Sequence, residues 1–267
     1  MTSPYEVRQV TANVARILAP NPSAWTLEGT NTWVVGTPES SERAVIDPGP
    51  VDEGHLDRIV ASLGGRSLTQ IWLTHSHGDH AAAASTLAAR TGATVYTSRT
   101  RGEQHRVSDG EEYLLGGVRM RVLAIPGHTL DSLGFELVDE DVVFTGDTIL
   151  GKGSSMVGPG LMAPLLATLE RLENLAEGRR LRGVPGHGEI LDDLGATAAA
   201  RLASRARRIA DVEVRAQSGA TLDEIFRELY AHITEPSLRM AARSTVESIL
   251  EYLEVRDQDL TVSATGR

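Results

Sequence analysis

The sequence predicts a mixed α/β fold in which two β-sheets pack face to face and helices cover both outer surfaces. Short apolar runs typical of buried strands alternate with longer segments whose apolar residues recur at helical spacing. Their order is strands, helix, strands, helix, and each element with one apolar face must bury that face against another layer. Hydrophobic residues make up 41% of the 267 residues, which is enough for a core without disulfides.

The first half of the chain supplies one sheet and its covering helices. Residues 32–35 and 44–46 are strand candidates, and the second ends at the turn signal Asp47-Pro48-Gly49-Pro50. Apolar residues at three- and four-residue spacing predict a helix over residues 54–63. The next expected elements are a strand at 70–73, a helix at 79–90 and a strand at 94–96.

The second half repeats this arrangement up to about residue 190. Short apolar runs separated by glycine or acidic turns predict several strands. They lie at residues 113–115, 120–123, 133–137, 142–144 and 181–184. A helix is expected over residues 163–176, between the last two of these strands.

Composition changes after Ile190, and a helical appendage is expected over residues 195–267. Helices are predicted at 195–217, from Thr221 and at 236–253; Thr221 and Glu224 have capping-box spacing. The tail 253–262 is interpreted as a small hairpin, which would make the appendage winged-helix-like. It carries ten basic and eleven acidic residues, which favours packing or dimerisation over a basic face for DNA.

Composition also excludes some kinds of chemistry. The chain has no cysteine, so it has no disulfide, thiolate metal site or cysteine nucleophile. Its net charge of −10, with Lys152 as its only lysine, argues against broad nucleic-acid binding through a charged surface. Neither a signal peptide nor an apolar segment of membrane-spanning length is recognised, so a cytoplasmic protein without membrane contact is expected.

Three histidines and an aspartate lie within six residues, 75–80, shortly after the strand at 70–73. They are His75, His77, Asp79 and His80. The strand leads into a tight loop that opens a helix, and such a loop directs several side chains towards one point. Neutral imidazoles and carboxylates are typical ligands of zinc and similar divalent ions.

Three further candidates, His128, Asp147 and His187, each close an apolar strand-like run beside a glycine. Ligands placed just past strand ends converge on one rim of a sheet scaffold. The sequence therefore predicts a metal site built from four loops.

These residues resemble the motif set of the metallo-β-lactamase superfamily. The resemblance covers about residues 10–190 and rests on His75-x-His77-x-Asp79-His80 with the contexts Pro-Gly-His-Thr, Thr-Gly-Asp-Thr and Pro-Gly-His-Gly. It implies an αββα sandwich with a metal site at one sheet edge. The implied domains are a catalytic domain over residues 1–194 and a helical, winged-helix-like domain over 195–267.

The resemblance also implies a two-metal centre. His75, His77 and His128 would bind the first ion, Asp79, His80 and His187 the second, and Asp147 would bridge both. Two zinc ions are expected, with manganese or iron as alternatives. The catalytic residue would be Asp79, which is both a ligand and within reach of the shared hydroxide, so it can orient that hydroxide or accept its proton.

Within the superfamily the chain resembles the lactamase-β-like endoribonuclease branch, through residues 29–36, 46–49, 185–188 and 222–226. That branch implies a binuclear zinc hydrolase whose metal-bridging hydroxide attacks phosphodiesters, with single-stranded RNA as substrate. Three other functions remain open: hydrolysis of a small ester or thioester as in glyoxalase II, sulfur oxidation by a single iron, and a binding module with a structural metal. A homodimer is a further alternative.

Several residues outside the ligand set have expected roles. Asp47 closes a strand near the cluster and is expected either to accept a hydrogen bond from a ligand imidazole or only to form the Asp-Pro-Gly turn. Four threonines, Thr74, Thr129, Thr145 and Thr148, are candidates for further hydroxyl contacts. The glycine-rich loop at 151–160 is expected to line the cleft, with Lys152 as a candidate anion contact. His55, His105 and His232 are expected not to be ligands.

Overall fold

Two β-sheets form the centre of the fold. A computed structural model describes residues 5–99, 102 and 104–265, with the backbone alone for residues 259–265. The first sheet contains, in spatial order, β1 (Arg8–Gln9), β2 (Val14–Leu18), β3 (Asn31–Val35), β4 (Glu42–Ile46), β5 (Ser67–Trp72), β6 (Thr94–Thr97) and β7 (His105–Arg106). Pairing is antiparallel from β1 to β4 and parallel from β4 to β7.

The second sheet has five strands. They are β8 (Glu112–Leu115), β9 (Val118–Ala124), β10 (Leu133–Leu137), β11 (Val142–Gly146) and β12 (Arg182–Pro185), in the spatial order β12-β11-β10-β9-β8. All pairs are antiparallel except β11 with β12, which run parallel.

The two sheets pack against each other through aromatic side chains that are almost completely buried. Trp33 of β3 meets Phe144 of β11 edge to face at 5.9 Å, and Trp72 of β5 meets Phe135 of β10 at 5.5 Å. Such pairs add to the burial of apolar area because the positive ring edge lies on the negative ring face. They hold the ends of strands from both sheets at one edge.

Helices cover both outer faces. They are α1 (Glu53–Ser62), α2 (Gly78–Ala81), α3 (Ala84–Thr91), α4 (Met162–Leu175), α5 (Leu194–Gln217), α6 (Leu222–Tyr230) and α7 (Pro236–Thr265). The apolar residues of α1 and α3 pack on the first sheet, and those of α4 to α7 form one core with the second sheet. The predicted α/β class, with two sheets between helical layers, is confirmed. The helix expected at 79–90 is divided into α2 and α3.

The predicted hairpin at residues 253–262 is wrong. These residues continue α7, so the C-terminal part is helical and has no wing within the described chain. From Leu253 to Leu260 the sequence has neither glycine nor proline to make a turn. In addition, Val246, Ile249 and Leu253 are buried at helical spacing, so packing extends the helix across this segment.

The division at residue 194 stays a prediction. In the structure, α5 packs along α4, and buried residues from both sides of that position belong to one hydrophobic cluster. None of the described helices is both long enough and apolar enough to cross a lipid bilayer.

Because of the shared core, removing a buried side chain from α7 should destabilise the whole molecule. Ile249→Ala deletes a fully buried side chain and should lower the free energy of unfolding by about 2–5 kcal/mol. The control is Val255→Ala on the same helix, where the side chain is 54% exposed. Urea unfolding followed by circular dichroism measures both. Two separate transitions, with only one shifted by Ile249→Ala, would support the independent appendage instead.

Candidate metal centre

Four loops deliver the candidate ligands to the sheet edge where the aromatic pairs meet. The loop after β5 carries His75 and His77, and α2 presents Asp79 and His80. The loops after β9, β11 and β12 carry His128, Asp147 and His187, respectively. All seven side chains predicted from the sequence therefore lie in one place, although their role as ligands stays a prediction.

Three histidines form the first cluster. The Nδ1 atom of His77 lies 3.1 Å from Nε2 of His75 and 2.9 Å from Nε2 of His128. Two nitrogens bound tetrahedrally to one zinc at 2.0–2.1 Å would lie about 3.3 Å apart. The cluster therefore has the dimensions of three corners of a tetrahedral site.

The second cluster consists of Asp79, His80 and His187. The Nε2 atom of His187 lies 3.2 Å from Nε2 of His80 and 3.1 Å from Oδ2 of Asp79. Oδ2 of Asp79 lies 3.5 Å from Nε2 of His80. These separations also suit three ligands of one ion.

Asp147 lies between the clusters. Its Oδ2 atom is 3.7 Å from Nε2 of His128 in the first cluster and 3.3 Å from Nε2 of His187 in the second. Its Oδ1 atom is buried, lies 3.4 Å from Nε2 of His80 and accepts no hydrogen bond within the described chain. A buried carboxylate oxygen without a hydrogen bond is costly, and a cation there would satisfy it. The arrangement therefore fits a divalent ion on this structural ground.

The outward nitrogens of four of these imidazoles are held by protein groups. Nδ1–H of His80 donates to Oδ2 of Asp47 at 2.8 Å, and Nδ1–H of His187 donates to the carbonyl oxygen of Gly29 at 3.1 Å. The remaining two pairs are His75 Nδ1 with Thr74 Oγ1 at 3.0 Å and His128 Nδ1 with Ser155 Oγ at 3.2 Å. Each contact leaves Nε2 directed inward, which is how ligand histidines are oriented in metal sites.

Asp47 has the contact predicted for it and is itself fixed by its surroundings. Its backbone is left-handed, with φ at 51°, directly after β4. The backbone N–H and the hydroxyl of Thr74 donate to its two oxygens at 2.8 and 2.7 Å. Asp47 therefore joins the loop after β4 to the loop that carries His75 and orients His80.

Charge in the second cluster is stabilised by its carboxylates. Burial disfavours protonated His187, but hydrogen bonds with Asp147 and Asp79 outweigh it and raise the His187 pKa to about 9. Burial opposes the charge of His80 as well, yet the carboxylates of Asp147 and Asp47 raise the pKa of His80 well above its usual range. Positive charge is therefore favoured here, in the form of a proton or a metal ion.

The first cluster behaves differently. Burial lowers the pKa of His75 well below its usual range, and the neighbouring His80 adds to this effect. Burial also lowers the pKa of His128. A neutral imidazole has a free lone pair on its inward nitrogen, which is the form that binds metal.

Most of the other sequence candidates lie away from the seven clustered residues. Among the four threonines, Thr74 alone contacts a ligand histidine, while Thr145 and Thr148 donate to backbone carbonyls and Thr129 bonds Ser132. His55 is buried on α1 beside the hydroxyl of Thr32 at 2.9 Å, and burial lowers its pKa to about 4. His105 is exposed on β7, and exposed His232 borders the cavity described next.

The clusters open into a cavity of about 1000 Å³. Its walls come from residues 23–27, from 150 and 152–156, and from α5, α7 and the end of α6. Many of the lining side chains are apolar, including Trp25, Leu27, Met156, Ile233 and Leu238. The loop at 151–160 therefore lines the cleft as expected, and Lys152 lies in its wall.

Sequence reasoning missed the groups that support His128. Arg205 of α5 donates through Nη2 to the carbonyl oxygen of Ser155 at 2.6 Å, and the hydroxyl of the same serine contacts His128. Neither residue stands in a motif. The contacts depend on how α5 packs beside the loop at 151–160, and no local sequence pattern predicts that packing.

Comparison with known proteins identifies the family. The model of the metallo-β-lactamase superfamily matches residues 25–187, more than half of the chain. The chain belongs to this superfamily.

Two relatives are similar to the chain over most of its length. A lactamase-like protein of Pestalotiopsis microspora is 35% identical over 208 residues, which are 76% of this chain and 63% of the relative. The chain thus spans less than two thirds of that protein. A protein of Claviceps purpurea named atrochrysone carboxyl ACP thioesterase is 31% identical over 249 residues, which are 89% of this chain and 78% of the relative.

The fold is shared with solved metallo-β-lactamase structures. A β-lactamase domain protein from Burkholderia ambifaria superposes with a TM-score of 0.82 at 18% sequence identity, covering 96% of this chain and 90% of that one. At this identity the likeness concerns the fold.

The contact between Asp47 and His80 should matter for metal affinity. Asp47→Asn keeps the size of the side chain and removes its negative charge, so His80 becomes a weaker ligand. We expect zinc to bind about 10- to 100-fold more weakly in competition with a chromophoric chelator. Asp192→Asn, at an exposed site, is the matched control. Equal zinc affinity in the two variants would show that Asp47 does not strengthen metal binding.

Metal binding should also release protons. In the metal-free protein His187 is protonated near neutral pH, because its pKa of about 9 lies above that pH. An ion must displace this proton, so apparent zinc affinity should rise between about pH 6 and pH 9. Calorimetric titrations in two buffers of different ionisation enthalpy measure the release. Identical binding heats in both buffers would contradict the protonated cluster.

Proposed function

We propose that this protein is a binuclear zinc hydrolase that cleaves acyl thioesters. The observation that carries the proposal is the position of the seven-residue centre at the base of a large, mainly apolar cavity. An apolar wall favours an acyl chain, since binding removes apolar surface from water. With the acyl chain against this wall, the thioester carbonyl would lie at the seven-residue centre.

The relatives support a thioester rather than an RNA substrate. The Claviceps protein carries a thioesterase name, as do further relatives from Pseudocercospora fijiensis and Aspergillus terreus. These names concern those proteins, and they agree with the alternative that the sequence had left open. Neither RNA cleavage nor a dimer receives support from them, and the net charge of −10 does not favour a nucleic-acid surface.

Two ions are proposed because both clusters are complete. His75, His77 and His128 would hold the first ion and Asp79, His80 and His187 the second, with Asp147 between them. A single-iron oxygenase would leave the second cluster without a function. When bound, zinc would supply a water of lowered pKa and would polarise the thioester carbonyl.

The chain's own residues then position the reaction. The side chain of Asp79 is 29% exposed and lines the cavity, whereas that of Asp147 is 11% exposed. Asp79 is therefore the carboxylate that can orient the attacking water and accept its proton. The reaction consumes one water: the C–S bond breaks, a C–O bond forms, and the products are a carboxylic acid and a thiol.

A substrate panel tests this proposal. The zinc-loaded protein should hydrolyse butyryl-N-acetylcysteamine, detected through its released thiol, with a higher kcat/KM than bis-p-nitrophenyl phosphate or single-stranded RNA. Asp79→Asn should lower kcat by about 10²- to 10⁴-fold, while Asp192→Asn should retain full activity. RNA cleavage without thioester hydrolysis would overturn the substrate class, and full turnover by Asp79→Asn would overturn its role.

A further inference from the structure

The wall that α5 contributes to the cavity is strongly basic. Arg201, Arg205 and Arg208 follow one another at spacings of four and three residues, so they lie on one face of this helix. Arg205 and Arg208 line the main cavity, and Arg201 lines a small adjoining pocket that also includes Arg205. We call these three residues the α5 arginine face.

The arginine face has no carboxylate partners within the described part of the chain. Arg205 donates to the carbonyl oxygen of Ser155. The guanidinium of Arg208 lies over the ring of Tyr230, 4.7 Å from its centroid. The carboxylates that line the cavity are those of Asp79 and Asp147, and both belong to the metal centre. Cation–π stacking fixes the guanidinium plane of Arg208 but leaves its N–H donors available.

This arrangement costs stability in the free protein. Like charges three and four residues apart on a helix repel each other. Burial, together with the charges of Arg201 and Arg208, lowers the pKa of Arg205. The chain has ten more acidic than basic residues, yet the cations beside this cavity have no carboxylate partner among the described residues. An anion bound there would relieve the repulsion and accept charge-assisted hydrogen bonds.

We propose, on the basis of the thioester hydrolase activity above, that Arg208 on the α5 arginine face binds an anionic group of the substrate and sets substrate preference. A guanidinium recognises carboxylate and phosphate through the same paired N–H donors. The anion has two sources in a thioester substrate: a second carboxyl on the acyl chain, or the phosphate of a phosphopantetheine arm on the thiol side.

Matched substrates distinguish the two sources. One pair is glutaryl- and butyryl-N-acetylcysteamine, which differ by a carboxyl on the acyl chain. The other pair is butyryl-phosphopantetheine and butyryl-pantetheine, which differ by the phosphate. Each pair is measured with the zinc-loaded wild type, with Arg208→Gln and with Arg207→Gln. The last variant is the control, because Arg207 is an exposed neighbour of Arg208 that lies outside the cavity.

In one of the pairs, Arg208→Gln should reduce the preference for the anionic member, measured through KM, by about tenfold or more, while Arg207→Gln should leave it as in the wild type. The pair that responds identifies the source of the anion. Arg208→Lys should recover part of the preference because it restores the charge. Equal preferences in Arg208→Gln and Arg207→Gln for both pairs would overturn the proposal.

Binding measurements separate this proposal from the proposed function. Calorimetry with phosphopantetheine against pantetheine, and with glutarate against butyrate, needs no turnover. If the protein hydrolyses no thioester but Arg208→Gln still removes the tighter binding of the more anionic ligand, the reaction class is wrong and the anion subsite stands. If thioesters are hydrolysed and neither ligand pair responds to Arg208→Gln, the subsite is wrong and the hydrolase stands.

Discussion

The structure depends on holding five imidazoles and two carboxylates together at one sheet edge. Groups packed this closely must be oriented by others, because a buried polar atom without a partner is costly. Here the outward nitrogens of four of the five candidate ligand histidines bond to protein groups, so their inward nitrogens are the ones left for a cation. The supporting groups come from separate parts of the chain: Gly29, Asp47, Thr74 and Ser155. Their placement requires both sheets to be packed in register, and the aromatic core between the sheets provides this.

Close packing around the ligands leaves little room for variation. Gly186 precedes His187, and a Cβ at this position would overlap Oδ1 of Asp147 and the ring of His80. Gly146 precedes Asp147 in a left-handed conformation, with φ at 47°, and a Cβ there would approach Thr74 to 2.8 Å. Glycine directly before His187 and before Asp147 is thus a steric requirement, which explains why these two candidate ligands follow Pro-Gly and Thr-Gly.

The sequence predicted the layers and the seven clustered residues because both are encoded locally. Apolar periodicity predicts strands and helices, and each candidate ligand stands in a short loop after a strand or in the short helix that follows that loop. The predicted hairpin at residues 253–262 is wrong because packing of Leu253 and the absence of glycine and proline from Leu253 to Leu260 extend α7. The contacts of Ser155 and Arg205 could not be predicted, since they depend on long-range packing of α5 rather than on any motif.

The candidate metal centre and the substrate-facing walls of the cavity come from different parts of the chain. The family model ends at residue 187, the last candidate ligand, so it contains the whole metal centre and none of α5, α6 or α7. These helices nevertheless line the cavity. In addition, Arg205 of α5 contacts Ser155, the residue whose hydroxyl meets His128. A change in the C-terminal helices can therefore alter which substrate binds and how firmly His128 is held, while His75, His80 and His187 retain their own supports. The metal centre alone can predict hydrolysis, whereas the substrate must be inferred from the apolar and basic walls above it.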